Sequence, residues 1–193
     1  MRLIILGAPG AGKGTQAKVI AAHFGVPAIS TGDIFRANVS GGTTLGLEAQ
    51  RFMDAGEYVP DEVTNLMVRD RLDEADAATG FLLDGFPRTR DQVDELDGMM
   101  LYAGHQLDAV IRLTVDAEEL VRRLLERAEI ERRSDDTEEV IRRRQAVYLQ
   151  QTEPLATVYR ERGLLREVDG NGVVAEVARR VITVLGKASS IRR

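Results

Sequence analysis

Leu3-Ile4-Ile5-Leu6-Gly7-Ala8-Pro9-Gly10-Ala11-Gly12-Lys13-Gly14-Thr15 carries a short apolar run into a glycine-rich turn, a lysine and a segment of helical character. Leu3 to Leu6 is too short for a buried helix and is bounded by glycine, which predicts a buried strand. A glycine backbone bends tightly and lets its N–H groups approach a ligand. Those groups and the N-terminus of the following helix make a concave anion site. Lys13 adds a positive charge where the outer phosphates of a nucleotide would lie. From Gly7 to Lys13 the spacing is Gly-x-x-x-x-Gly-Lys, that of a phosphate-binding P-loop, with one departure. The strict motif has Ser or Thr directly after the lysine. Here Gly14 intervenes and the hydroxyl arrives at Thr15, which leaves open whether Thr15 meets a metal ion or only a phosphate.

The composition narrows the partners. A chain of 193 residues suffices for one large domain with a substantial core. A net charge of -5 argues against a general binder of nucleic acid or of membrane surfaces, while leaving room for a local basic cleft. Without cysteine there is neither a disulfide nor a thiolate zinc site. His23 and His105 lie far apart with no partner spacing, which predicts structural or exposed roles. No secretory leader pattern and no apolar run of ~20 residues is present, so the expected location is cytoplasmic. Arginine is abundant throughout, so one arginine alone carries little weight. Lysine is scarce, being limited to Lys13, Lys18 and Lys187, which makes Lys13 stand out.

Along the chain, strands alternate with helices. Thr15 to Phe24 is expected to be helical and to end at Gly25, and Pro27 to Ser30 to be a short strand. Thr31, Gly32 and Asp33 offer capping groups for a helix that Gly41-Gly42 breaks. Helices are expected over Leu45–Ala55 and from Pro60 to about Glu74. Gly80 to Gly85 repeats the motif of an apolar run followed by glycine and sets Asp84 at a strand's carboxyl end. A helix to about Tyr102, a strand over Asp108–Val115 and a helix over Ala117–Ala128 follow. Arg127 to Asp136 is nearly all charged, with little to bury. Thr137 is expected to cap one long helix to about Arg162, ended by Gly163. Then come a strand over Leu164–Val168, a turn at Asp169-Gly170-Asn171-Gly172, a helix over Val173–Gly186 and a frayed tail. This alternation predicts an α/β fold, a parallel sheet covered on both faces, with ligands at the carboxyl ends of its strands.

A phosphate donor needs an acceptor, and two segments suit one. Ser30-Thr31-Gly32-Asp33 with Arg36 is the first, and Asp84-Gly85-Phe86-Pro87-Arg88 with Gln92 is the second. Each puts an arginine just after a turn that follows a strand. Arg36 and Arg88 could clamp a phosphate through forked hydrogen bonds. Asp84 is placed to hold Mg²⁺ through water, because Mg²⁺ keeps much of its hydration. The bland alternatives are a helix cap for Asp33 and a surface arginine at 36.

With these three motifs in this order, the sequence resembles the adenylate kinases from Met1 to about Leu185. The Arg-x-Asp-Asp pattern of Arg133 to Asp136 adds to the likeness, and the hydroxyl at Thr15 is that family's own pattern. The resemblance implies a three-layer P-loop kinase core with a five-stranded parallel sheet, a small helical insert that binds the nucleoside monophosphate, and a short lid. The core would be residues 1–29, 60–126 and 137–193, the AMP-binding insert 30–59 and the lid 127–136. It implies donor contacts at Gly10, Ala11, Gly12, Lys13, Gly14, Thr15, Arg123, Arg127 and Gly172. Acceptor contacts would be Thr31, Arg36, Gly85, Arg88 and Gln92, with backbone contacts across Glu57, Tyr58 and Val59. Arg133 and Arg144 would face the phosphates between the two nucleotides, although Arg132 could replace Arg133. Arg142, Arg143 and Arg144 are consecutive, so one or two of them can face a cleft from a helix. A cis Phe86–Pro87 peptide is implied as well. A lid of about ten residues without cysteine or histidine resembles the family's short form and implies no structural zinc.

The implied reaction is reversible phosphoryl transfer, MgATP and AMP to two ADP, in a monomer that serves adenine nucleotide homeostasis. The partners are then ATP, AMP and ADP, with no nucleic acid and no membrane. A kinase for UMP, CMP or a small alcohol is one alternative, and a nucleotide-dependent switch is another. The two phosphate-binding clusters speak against the switch, which needs a single nucleotide.

Overall fold

The computed structural model describes residues 1–116, 118–120, 122–124, 126 and 137–191, with the backbone alone over 187–191. Five strands are laid side by side: β1 (Arg2–Leu6), β2 (Ala28–Ser30), β3 (Phe81–Asp84), β4 (Ala109–Thr114) and β5 (Leu165–Asp169). Their spatial order is β2-β3-β1-β4-β5, and every pairing is parallel. β1 is central, with Leu3 opposite Leu82 on one side and Ala109 on the other.

Alternate residues of β1 leave for opposite faces, as strand geometry requires. Leu3 and Ile5 pack with Ala17, Ile20 and Ala21 of helix α1 (Lys13–Phe24) and with Val177, Val181 and Leu185 of the C-terminal helix (Val174–Ile191). Ile4 and Leu6 pack with Val93 and Leu96 of the helix Arg90–Tyr102 and with Leu155 and Tyr159. Leu3, Ile4 and Ile5 are at most 1% exposed. Burying a side chain of this kind contributes ~1.5–3 kcal/mol. From Leu3 to Leu6 the strand is apolar because helices cover both faces, which is the three-layer α/β fold expected.

Between β2 and α4 (Asp61–Leu72) lie α2 (Thr31–Ser40) and α3 (Thr44–Asp54), within the stretch 30–59 expected to be the insert. α2 begins one residue after β2, and its cap is Ser30, whose Oγ accepts from the Asp33 N–H at 3.2 Å. Asp33 is therefore not the cap; its carboxylate turns to Arg36 instead.

Two further expectations are corrected. The long helix from Thr137 is interrupted. Thr137 caps a helix over Glu138–Val147, a wider π turn spans Tyr148–Thr152, and a second helix runs over Leu155–Glu161. Pro154 has no N–H to give, so the α ladder cannot continue through it. The Glu153 N–H reaches back five residues to the Tyr148 carbonyl at 2.9 Å. At the C-terminus the last helix runs on to Ile191, past the tail expected after Gly186.

Candidate active site

The loop after β1 is wound as its glycines permit. Gly12 is the N-cap of α1 at φ 84°, in the left-handed region that glycine adopts at little cost. A Cβ there would stand 3.7 Å from Nη1 of Arg123. Arg123 is thus brought near the loop and held there: Nε donates to Glu119 Oε1 at 2.7 Å and Nη2 to the Gly170 carbonyl at 3.2 Å. Lys13 lies across the same loop and donates to the carbonyls of Gly7 and Ala8. Ala11 is buried, while Gly14 and Thr15, in the first turn of α1, are exposed. Gly10 has φ 88° and packs against the segment of Leu120 and Leu124.

Asp84 ends β3, next to β1, so its carboxylate rises beside α1. A Cβ on Gly14 would come within 3.4 Å of Asp84 Oδ2. A side chain directly after Lys13 would thus start in van der Waals contact with that carboxylate. Burial raises the pKa of Asp84, and the charges of Lys13 and Arg88 pull it back. One carboxylate therefore senses both the lysine of the first cluster and the arginine of the second.

The second cluster is built on Gly85. Its carbonyl accepts from Thr31 Oγ1 at 2.9 Å and from Arg88 Nε at 2.8 Å. Gly85 has φ 83°, and a Cβ there would lie 2.6 Å from Thr31 Oγ1 and 2.8 Å from Arg88 Nη2. Only glycine fits this close approach of two side chains. The Phe86–Pro87 peptide is cis, as the sequence implies. Arg88 lies over the Tyr58 ring at 4.8 Å. Burial lowers its pKa from the ordinary value, and Arg144 and Arg36 lower it further by repulsion. Arg36 and Arg144 thus add positive potential at Arg88, which suits an anion there. Arg36 folds back over Gly32 and pairs with Asp33 at 2.5 Å.

The run Arg142-Arg143-Arg144 is sorted by its partners. Arg142 is exposed and pairs with Glu138, one helical turn away. Arg143 Nε donates to Glu57 Oε1 at 2.7 Å, reaching the end of the insert. Arg144 is the member within the field of Arg88. Val59 is buried, and its carbonyl accepts from Thr64 Oγ1 at 3.3 Å. Gly172, at φ 110°, sits in a turn that Arg180 holds by donating to the carbonyls of Asp169 and Asn171. Arg127, Arg132 and Arg133, and the lid as a whole, lie outside the described residues.

Gln92 is in the cluster but differs from a simple base reader. It is 1% exposed; Oε1 accepts from the Arg88 N–H at 2.7 Å and Nε2 donates to Asp61 Oδ1 at 2.6 Å. Asp61 Oδ2 also accepts from Thr89 Oγ1 at 2.5 Å. Sequence reasoning missed Asp61 and Thr152, which lie far from the motifs; the nearest signals were Pro60 and Pro154, each within two residues. Among the described residues no group of three acidic, histidine or cysteine side chains is arranged to hold a metal, and no helix is long and apolar enough to cross a membrane.

Comparison with known proteins agrees with this geometry. A family model described as adenylate kinase matches residues 5–164. The chain is 68% identical to a protein named adenylate kinase from a Nocardioides species, over 96% of this chain and 97% of that one. It is 57% identical to one from Thermobifida fusca, over 96% and 98%, and 57% identical to one from Renibacterium salmoninarum, over 95% of each. With the family's model covering most of its length and relatives this similar from end to end, the chain belongs to the adenylate kinase family.

Proposed function

We infer that the protein transfers the terminal phosphoryl group of ATP to AMP, reversibly, yielding two ADP. The observation that carries this reading is Asp84, which lies beside the loop at Gly14 and directly before Gly85, whose carbonyl holds Arg88, so that one carboxylate stands between the two clusters. Two phosphate sites sharing one edge of the sheet suit a direct transfer between two nucleotides. An oxygen of the AMP phosphate forms the new bond to the γ-phosphorus as the bond to the β-bridging oxygen breaks, and ADP leaves.

The attacking oxygen is already anionic and needs no strong base. Alignment and neutralisation of charge on the moving group then supply most of the catalysis. Lys13 and the N–H groups of Gly10 to Thr15 would hold the donor phosphates, with Arg123 over the loop. Arg88, Arg36 and Arg144 would hold the acceptor phosphate, with Thr31 and Gly85 shaping its seat. Arg127 and Arg133 are proposed to complete the positive field from the lid, and Gly172 to meet the donor adenine. We read residues 30–59 and 127–136 as the parts that close on the substrates and exclude water.

Asp84 fits a hydrated Mg²⁺: it is a half-buried carboxylate beside Lys13, and among the described residues no group of three acidic, histidine or cysteine side chains stands ready to strip the ion of its water. When bound, Mg²⁺ would offset charge on the donor phosphates. We further read the protein as a monomer working in the cytoplasm without zinc, nucleic acid or membrane, a reading supported by the cysteine-free sequence and its charge of -5. The test is ADP formation from ATP with AMP, CMP and UMP in turn. AMP is expected to be much the best acceptor; equal rates with all three, or none with AMP, would overturn the reading.

A further inference from the structure

The break in the helix after Val147 lies directly behind the phosphate arginine. Thr152, in the π turn, is 5% exposed, and its Oγ1 donates to the carbonyl oxygen of Arg88 at 2.8 Å. The same Oγ1 lies 2.8 Å from the hydroxyl of Tyr58. A carbonyl oxygen can only accept, so the threonine proton is committed to Arg88 and Tyr58 must be the donor to Thr152. Tyr58 in turn lies under the Arg88 guanidinium, 4.8 Å from ring centre to charge. One hydroxyl therefore ties together three segments: the end of the insert, the turn after β3 and the interrupted helix.

We propose that Thr152 is a positioning residue for the acceptor site, holding Arg88 from both ends. Its proton fixes the arginine backbone, and its oxygen fixes the ring on which the guanidinium rests. The inference rests on the reading of Arg88 as a clamp for the AMP phosphate. Nothing about it requires contact between Thr152 and a nucleotide. A π turn widens a helix by one residue and is frequent at functional sites. Here it turns a side chain of the helix towards the motif Gly85 to Arg88. The strength of a forked arginine–phosphate contact depends on orientation as much as on charge, so a loosened guanidinium loses affinity for the acceptor while the donor site is untouched.

The test compares wild type with Thr152→Val, Thr152→Ser and Tyr58→Phe. Thr152→Val keeps the shape and removes the hydroxyl; Thr152→Ser keeps the hydroxyl. Losing a hydrogen bond that orients a charged group is expected to raise the KM for AMP about tenfold in Thr152→Val. The KM for ATP should stay within about twofold, because the loop around Lys13 shares none of these bonds. Thr152→Ser should behave as wild type, and Tyr58→Phe should resemble Thr152→Val. The double variant Tyr58→Phe/Thr152→Val should be little worse than either single one, since both cut the same chain of contacts. A Thr152→Val enzyme that melts earlier but keeps its KM for AMP would overturn the inference, as would equal rises for AMP and ATP. Should Thr152→Val fail to fold, Tyr58→Phe decides alone: an unchanged KM for AMP refutes the positioning role. A wild type that does not use AMP would refute the proposed function itself, which is a different outcome.

Discussion

The ammonium of Lys13 donates to the carbonyl oxygen of Gly7 at 2.7 Å, at the point where β1 becomes the loop. A second bond goes to the carbonyl of Ala8 at 3.0 Å, so the lysine lies across the loop that it is expected to serve. Lys13→Met should lower kcat by ~10²–10³, the usual effect of removing a group aimed at charge developing in the transition state. Its circular dichroism should match that of wild type. A variant within threefold of wild type would remove Lys13 from the mechanism.

Gln92 should matter twice. Gln92→Ala leaves the Arg88 N–H and an oxygen of Asp61 without their partner. Unpaired buried groups of this kind cost ~1–3 kcal/mol, measurable by urea unfolding. If one remaining N–H and one remaining lone pair of the amide also read the base, the KM for AMP should rise and the preference over CMP and UMP should narrow. A loss of stability with unchanged preference would make Gln92 a support of Arg88 and nothing more.

Metal should be needed for turnover and not for the fold. EDTA is expected to stop ADP formation while the melting temperature of the nucleotide-free protein stays the same. A fall of many degrees on chelation, or zinc recovered in stoichiometric amount from purified protein, would contradict this.

Two buried tyrosines should respond oppositely to truncation and alike to alkali. Tyr148 donates to Glu153 Oε2 at 2.6 Å, whereas the Tyr159 hydroxyl has no hydrogen-bond partner among the described residues. Tyr148→Phe should therefore cost about 1 kcal/mol at neutral pH, and Tyr159→Phe should be neutral or stabilising. Burial raises the pKa of both phenols above the ordinary value. At alkaline pH the folded chain thus holds protons that the unfolded chain has released. Their contribution to stability is complete below about pH 10 and is lost as the pH climbs further. The double variant should show a flatter fall in denaturation midpoint between neutral and strongly alkaline pH. An identical fall would place the titrating groups elsewhere.

The strand, the glycine turn, Lys13 and the motif around Gly85 could be read from the sequence because local chemistry dictates them. An apolar run that ends in glycine behaves alike wherever the rest of the chain goes. What could not be read depends on partners far away in sequence. Ser30 and Asp33 were equally good caps by type, and Arg36 settled the matter by taking Asp33. Arg142, Arg143 and Arg144 are indistinguishable as letters; Glu138, Glu57 and the field of Arg88 separate them. Gln92 was expected to face the cleft and is held from behind by Asp61, 31 positions away. The interruption before Pro154 was not foreseen, since one unbroken helix to about Arg162 was expected, and neither was its use by Arg88.

The position of β1 at the centre of the sheet has a consequence during synthesis. The first strand to be made waits the longest stretch of chain for both neighbours: Leu3 pairs with Leu82 on one side and Ala109 on the other. Until then a nascent chain carries Leu3-Ile4-Ile5-Leu6 with at least one of its backbone edges open. Contacts so distant in sequence close slowly, and an unpaired apolar strand is the species that aggregates. A ribosome that stalls before β4 therefore leaves the β4-facing edge of this apolar strand uncovered.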